Sequence, residues 1–251
     1  MRIRPGVDLA NLTDVGCHRQ ENEDYYCYAE PDDDLVFERK GRLAVVADGM
    51  GGHQGGKVAS TIAVEAVRDW YFNHLDLDTH EALRSAFQDA HAAIQEYSRQ
   101  NPGLAGMGTT CTAVAILGDQ LHYGHVGDSR LYLIRGGAIS QITQDHSQVA
   151  RLVQDGLITP EEAAVHPQRN VLTAAMGIEP ASADFSDSPL QLYANDVLLM
   201  CSDGLHGLVS DQEMLANAST LEPLEACKEL VRMAKERGGF DNITLQILRI
   251  V

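Results

Sequence analysis

Apolar residues fall along this chain in two kinds of run. Continuous or alternating stretches of aliphatic and β-branched residues occupy 43–47, 110–117, 121–126, 130–135, 138–143, 196–201 and 242–251, and each predicts a strand. Several lie only two or three residues apart. Gly118-Asp119-Gln120 and Gly136-Gly137 have hairpin-turn composition, so the sheet is predicted to be largely antiparallel. Elsewhere the spacing is helical. Val58, Ile62, Ala66 and Trp70 recur every four residues, with Ala59, Ala63 and Val67 beside them, giving an apolar face suited to packing on a sheet. A second helix is predicted over about 81–99 through Leu83, Phe87, Ala90, Ile94 and Tyr97, and a third over about 223–237, stopped by Gly238-Gly239. Strands clustered in hairpins with long helices between the clusters predict α+β layering rather than a doubly wound parallel sheet. Residues 145–175 differ: polar, rich in His, Gln and Pro, with a short helix opened by Thr159-Pro160-Glu161-Glu162. The interval reads either as a surface excursion or as a flap over an active site.

No repeat, low-complexity tract or Gly/Ser linker divides the 251 residues, so one domain is expected, with apolar residues at 44% to form its core. No apolar run approaches the roughly 20 residues that span a bilayer, and the first residues lack the apolar core of a signal peptide; a soluble cytoplasmic protein without membrane contact is expected. Five scattered cysteines (Cys17, Cys27, Cys111, Cys201, Cys227) form no C-x-x-C pair and read as reduced thiols. A net charge of −17 without a basic patch argues against nucleic acid. It also demands some local positive charge if the ligand is a phosphate.

Candidate chemistry begins at "AVVADGMGGHQGGK". Gly51, Gly56 and Lys57 fit the G-x-x-x-x-G-K skeleton of a nucleotide-cradling loop, but Val58 stands where that loop places Ser or Thr to hold Mg²⁺. The competing reading starts from Asp48-Gly49 and finds the same arrangement at Gly127-Asp128-Ser129, Asp203-Gly204 and Asp241-Asn242, each at the edge of a β-type run. One such pair is ordinary turn chemistry. Several carboxylates aimed from strand ends at one point would repel one another unless a cation sat between them. An oxygen-only ligand set selects Mg²⁺ or Mn²⁺ over zinc, and two such ions can lower the pKa of a shared water so that the hydroxide attacks phosphorus in line. Near the N-terminus "TDVGCHRQENED" adds Glu21, Glu23 and Asp24, preceded by Asp14, Gly16 and Arg19; the Arg19 guanidinium suits a phosphate's oxygens.

With "TDVGCHRQENED", "VVADGMGGHQGG", "GTTCTAVAI", "HVGDSRLYLIR", "QDHS", "HPQRNVLTAAMG", "LMCSDGLHGLVSD" and "GGFDNITLQIL" in order across nearly its whole length, the chain resembles the metal-dependent serine/threonine phosphatases of the PPM (PP2C) family, in particular their compact bacterial members. The resemblance implies an αββα sandwich of two antiparallel sheets flanked by helices, with a binuclear Mn²⁺ or Mg²⁺ site between the sheets. It implies that Asp48 bridges both ions, that the Gly49 carbonyl completes one, that Asp203 and Asp241 hold the other, and that Glu23 and Asp24 act near them directly or through water. Asp128, with Asp203, would hold a weaker third ion beside the flap, and Arg19 would clamp the substrate phosphate. His53 is a candidate general acid, its ordinary pKa lying near neutrality, or else a residue that shapes the Gly-rich loop. Ala174 departs from the arginine that bacterial members commonly carry there. The expected partners are phosphorylated Ser/Thr proteins of a signalling pathway, substrates of a cognate kinase, met by a monomer. The alternative is a non-catalytic phosphoprotein-binding module on the same fold.

Overall fold

A computed structural model of the chain describes residues 4, 6–51, 55–179 and 182–251. Strands β1 (Val7–Asp14) and β2 (Asp24–Ala29) lead through helix α1 (Asp34–Lys40) to β3 (Arg42–Met50). Two long helices, α2 (Gly55–Asn73) and α3 (Thr79–Gln100), precede β4 (Gly108–Thr109), β5 (Cys111–Leu117), β6 (Gln120–Val126), β7 (Arg130–Arg135) and β8 (Ala138–Gln141). Helices α4 (Gln148–Gln154) and α5 (Pro160–Ala164) follow, then β9 (Asp184–Phe185), β10 (Leu190–Gln191) and β11 (Val197–Cys201). The described chain ends with α6 (Asp203–His206), α7 (Asp211–Thr220), α8 (Pro223–Glu236) and β12 (Ile243–Ile250).

Two antiparallel sheets result. One runs β1-β12-β11-β7-β8; the other runs β10-β6-β5-β3-β2, with β4 paired to β3 and β9 to β6. Strand β3 explains why they stack. Its run is apolar at successive positions because both faces are buried. Leu43, Val45 and Ala47 pack with Ala59, Ala63 and Val67 of α2 and Ile94 of α3, while Ala44 and Val46 turn inward against Leu131, Leu198, Met200 and Leu248 of the other sheet. The second sheet repeats the arrangement, with Leu199, Cys201, Ile243 and Leu245 under Leu230 and Ala234 of α8. The order is therefore helix, sheet, sheet, helix, as expected. Gln246 bridges the sheets, its Nε2 donating to the carbonyls of Val45 at 2.8 Å and Cys27 at 3.2 Å.

The two predicted hairpins are present: Gly118-Asp119 joins β5 to β6 and Gly136-Gly137 joins β7 to β8, with Gly136 and Gly137 at φ of 59° and 79°. Helix α5 opens with a full capping box between Thr159 and Glu162. Residues 145–175 leave the sheets and return beside their point of departure, Ser147 bridging Leu172. Among the described residues, no helix is long and apolar enough to cross a membrane.

Leu198 is 0% exposed in the layer between the sheets. Leu198→Ala is expected to cost about 2–5 kcal/mol, because two facing sheets cannot collapse onto the lost volume; urea unfolding of both proteins measures it.

Candidate active site

The predicted acidic residues converge at one end of the sandwich. Asp24 and Asp48 are register partners on β2 and β3, a like-charge pairing that disfavours the sheet unless something offsets it. Asp128 lies in the turn between β6 and β7, and Asp241 precedes β12. Two placements differ from the expected strand ends: Asp48 lies within β3 rather than after it, and Asp203 opens the short helix α6. The electrostatics tie the set together. Burial raises the Asp48 carboxyl well above its ordinary value, and the charges of Asp24, Asp203, Asp128 and Asp241 raise it further. Asp24 is pushed up to about 7, by burial first and then by Asp203 and Asp241, against the opposing hydrogen bonds of Thr244 and Ser202. Asp203 is pushed up to about 6 by burial and Asp241, while a hydrogen bond shared with Asp48 pulls it back. Burial and the charge of Asp203 likewise raise Asp128.

Neighbouring side chains fix the Asp24 carboxylate and the backbone of Asp48 and Asp128. Ser202 Oγ donates to Asp24 Oδ2 at 2.8 Å and accepts from the Thr244 N–H at 3.0 Å. The Asp48 N–H donates to Thr110 Oγ1 at 2.8 Å, and the Asp48 carbonyl accepts from Thr109 Oγ1 at 2.8 Å and the Thr110 N–H at 2.9 Å. Thr110 in turn meets Ser129 Oγ at 2.7 Å. His206 Nε2 donates to the Asp128 carbonyl at 2.9 Å, joining α6 to the turn that carries Asp128. Ser129 and Ser202 stand beside Asp128 and Asp203 in "GDS" and "CSDG", but Thr109, Thr110 and Ser202 act on acids far away in sequence.

Two glycines settle the loop that resembled a nucleotide cradle. A Cβ on Gly49 would stand 2.1 Å from the Gly56 carbonyl oxygen and 2.7 Å from that of Glu23, so β3 and the start of α2 touch backbone to backbone. The spacing serves chain-to-chain contact, and Lys57 is an exposed residue of α2. Glu23 is held at this junction: its N–H donates to Asn242 Oδ1 at 2.8 Å and its carbonyl accepts from Ser60 Oγ at 2.6 Å. Arg19, with its side chain 49% exposed, donates to Asp241 Oδ2 at 2.7 Å. Burial pulls its pKa down, but the hydrogen bond and charge of Asp241, with Glu23 and Asp48 nearby, leave it raised. Asp14 is satisfied by Lys235 at 2.9 Å and by the Gly16 N–H at 2.8 Å, a structural tie between β1 and α8. His53 lies outside the described residues.

Among the described residues, no three Asp, Glu, His or Cys side chains are drawn into a closed ion cage; the carboxylates lean on Arg19, Ser202 and one another. Yet Asp24 Oδ1 and Asp203 Oδ1 are buried without a hydrogen-bond partner. Orphaned carboxylate oxygens inside a cluster of acids are unfavourable as they stand and are the donors that Mg²⁺ or Mn²⁺ takes. The donor set fits such ions.

At the base of residues 145–175, the His146 N–H donates to the Gly127 carbonyl at 2.7 Å, and Arg130 pairs with Asp145 at 2.7 Å. His125 Nε2 donates to the Gln144 carbonyl at 3.0 Å while its Nδ1 accepts from Thr112 Oγ1 at 2.9 Å. The excursion is thus sewn to the turn that carries Asp128. Ala174 is buried in the apolar cluster that includes Phe87 and Ile94 of α3.

Residues 22–239 match the family model described as Protein phosphatase 2C. Among curated relatives, protein phosphatase PhpP of Streptococcus pneumoniae is 36% identical, covering 96% of this chain and 97% of that protein. The serine/threonine protein phosphatase PstP of Mycobacterium tuberculosis is 38% identical over 100% of this chain, which spans 46% of PstP. Among solved structures, PstP superposes with a TM-score of 0.87 at 35% identity, covering 98% of this chain and 99% of that one. A structure of the PstP catalytic domain in complex with two manganese ions has a TM-score of 0.85 at 34% identity, with coverage of 98% and 99%.

Burial, reinforced by His146, pushes the His125 imidazole down to about 4. An unfolded histidine titrates near 6.5, so between those values the unfolded chain takes a proton that the folded chain refuses. The His125 contribution to stability is therefore lost as pH falls from about 6.5 to about 4, by roughly 1.4 kcal/mol for each unit separating the two values. Histidine-selective NMR, with His125→Gln assigning the signal, is expected to show a midpoint near 4; a midpoint near 6.5 would mean that the ring is not sealed in.

Proposed function

The chain belongs to the protein phosphatase 2C family, and from that premise we propose that it is a metal-dependent protein serine/threonine phosphatase built as a single domain with residues 145–175 as a flap. One observation carries the proposal: five acids from separate elements meet where two buried carboxylate oxygens have no partner, with a guanidinium at their edge. A non-catalytic module would hold a phosphate with the same groups but not turn it over, so metal-dependent hydrolysis of an aryl phosphate separates the two readings.

In this reading Asp48, the Gly49 carbonyl, Asp203 and Asp241 would hold two ions, with Glu23 and Asp24 acting on them directly or through water. Asp128, with Asp203, would hold a third. When bound, Mn²⁺ or Mg²⁺ offsets the clustered charge and lowers the pKa of coordinated water. The chain's own residues do the positioning. Ser202 fixes Asp24, the Thr109–Thr110–Ser129 hydroxyls fix the backbone of Asp48, and His206 links the elements bearing Asp203 and Asp128. Arg19, anchored to Asp241 through one nitrogen, keeps its other donors for the phosphoryl oxygens of the substrate. His53 is the candidate that gives a proton to the departing seryl or threonyl oxygen. The substrates are phosphorylated proteins opposed to a Ser/Thr kinase.

Asp48→Asn tests the assignment. Turnover of an aryl phosphate is expected to fall by orders of magnitude, and the rise in melting temperature that Mn²⁺ gives the wild type is expected to shrink. The metal-free variant is expected to melt no lower than wild type, since one repelling charge is gone. Wild-type turnover in the variant, or in thoroughly chelated protein, would overturn the proposal.

Asp128→Ala tests the third ion. Calorimetry is expected to count two bound ions, with turnover well below wild type on both an aryl phosphate and a phosphothreonine peptide. Two ions with full turnover would remove the third ion from catalysis, and loss of all binding would move Asp128 into the central pair.

A further inference from the structure

The edge of the site carries an aromatic pair that the phosphatase reading does not use. Phe240, next to Asp241, is 60% exposed. Its ring stacks on that of the exposed His18, next to Arg19, with centroids 5.2 Å apart and planes at 27°. We propose that these rings form a docking shelf for an apolar side chain close in sequence to the phosphorylated Ser or Thr of the substrate. The inference rests on the phosphatase reading and adds a substrate preference to it.

The shelf is held in place by the site's own framework. Its two loops are joined by the Cys17 N–H donating to the Gly239 carbonyl at 2.8 Å, and by Asn242 Nδ2 donating to the carbonyls of Val15 and Glu21, both at 3.0 Å. They also approach too closely for a side chain at Gly16, where a Cβ would stand 2.2 Å from the Asp241 carbonyl oxygen. A Cβ at Gly238 would reach within 2.4 Å of the Phe240 ring, so that glycine lets the ring lie back on its own loop. Arg19 and Asp241, one residue along from the two rings, bond at 2.7 Å. The rings therefore stand at a fixed offset from the phosphate clamp, with little ordering left to do when a peptide arrives.

Charge selects the occupant. Arg19 and Asp241 are paired beside the rings, so a charged neighbour of the phosphoresidue meets a like and an opposite charge together and gains little from either. A neutral apolar side chain covers ring surface that is otherwise exposed to water.

The test uses Mn²⁺-loaded protein and phosphothreonine peptides identical except at the positions flanking the phosphoresidue, which carry Leu, Ala, Asp or Arg on one side or the other. Leu on one side is expected to raise kcat/KM roughly five- to tenfold over Ala through KM, with Asp and Arg no better than Ala. Phe240→Ala is expected to abolish the Leu advantage while turnover of p-nitrophenyl phosphate stays within about twofold, and Phe240→Leu to keep most of it. Fluorescence anisotropy with a phosphonate analogue of the Leu peptide, which is not hydrolysed, is expected to show the same loss of affinity in Phe240→Ala. A Leu advantage that survives Phe240→Ala, its absence in the wild type, or a preference for Arg would overturn the shelf and leave the phosphatase reading standing. Failure of the wild type to hydrolyse any of the peptides would overturn that reading, and the shelf with it.

Discussion

Mutual repulsion among buried carboxylates is the constraint around which this molecule is arranged. Asp24 and Asp48 face each other across a strand pair, and Asp203, Asp128 and Asp241 reach the same place from three other elements. Nothing in folding a sandwich of two sheets requires this, and each acid adds a desolvation cost that the protein meets in part by raising pKa values. The positions hold because the backbone beneath them has no freedom to move. Alternate residues of β3 are locked into two different cores, so Asp48 cannot slip without exposing one apolar set or the other.

The same rigidity explains the polar groups buried around the acids. Ser202 is fully buried beside Asp24, and Thr109 and Thr110 are buried beside Asp48. Ser202 ties Asp24 to the sheet that does not carry it, and Thr110 ties Asp48 to the turn that carries Asp128. Asn242 does this for the Arg19 loop, accepting from Glu23 and donating to two carbonyls. A fully satisfied side chain at that point costs little and fixes a loop that has no regular structure of its own.

Much of this was legible in the sequence. Both hairpins, the three long helices, the layered fold and the acids that converge could be read because each has a local signature: glycine pairs, a period near four, or Asp beside Gly after an apolar run. What escaped had either a weak signature or a nonlocal cause. Strand β1 (VDLANLTD) does not alternate, because it lies at a sheet edge with partly covered residues on both faces. Strand β2 opens with the acid Asp24 and exposes Tyr25, which blurs its pattern. Helices α1 and α7 are exceptions: neither was read, although Asp33 caps the first and Ser210 and Glu213 form a capping box on the second. The hydroxyl supports of Asp24 and Asp48 come from segments distant in sequence, which no spacing rule brings together. The loop that imitated a nucleotide cradle is the opposite case, a clear local signature with a different cause. Gly49 and Gly56 are required there because two backbones meet, and a phosphate is not what they approach.

The net charge of −17 bears on substrate capture as much as on solubility. A phosphoprotein approaching this site meets several carboxylates and the exposed guanidinium of Arg19, which is already paired with Asp241. Without cations the local field repels the ligand, and Arg19 alone cannot reverse it. In the phosphatase reading, divalent ions thus have a part in binding as well as in chemistry, because the residues that would hold them are the ones whose charge turns the substrate away. Metal and phosphate then favour each other's binding through the same acids. It also accounts for the exposed apolar rings at the rim: where every charged contact is matched by an opposing one nearby, an uncharged surface is the contact that can add affinity without disturbing the balance.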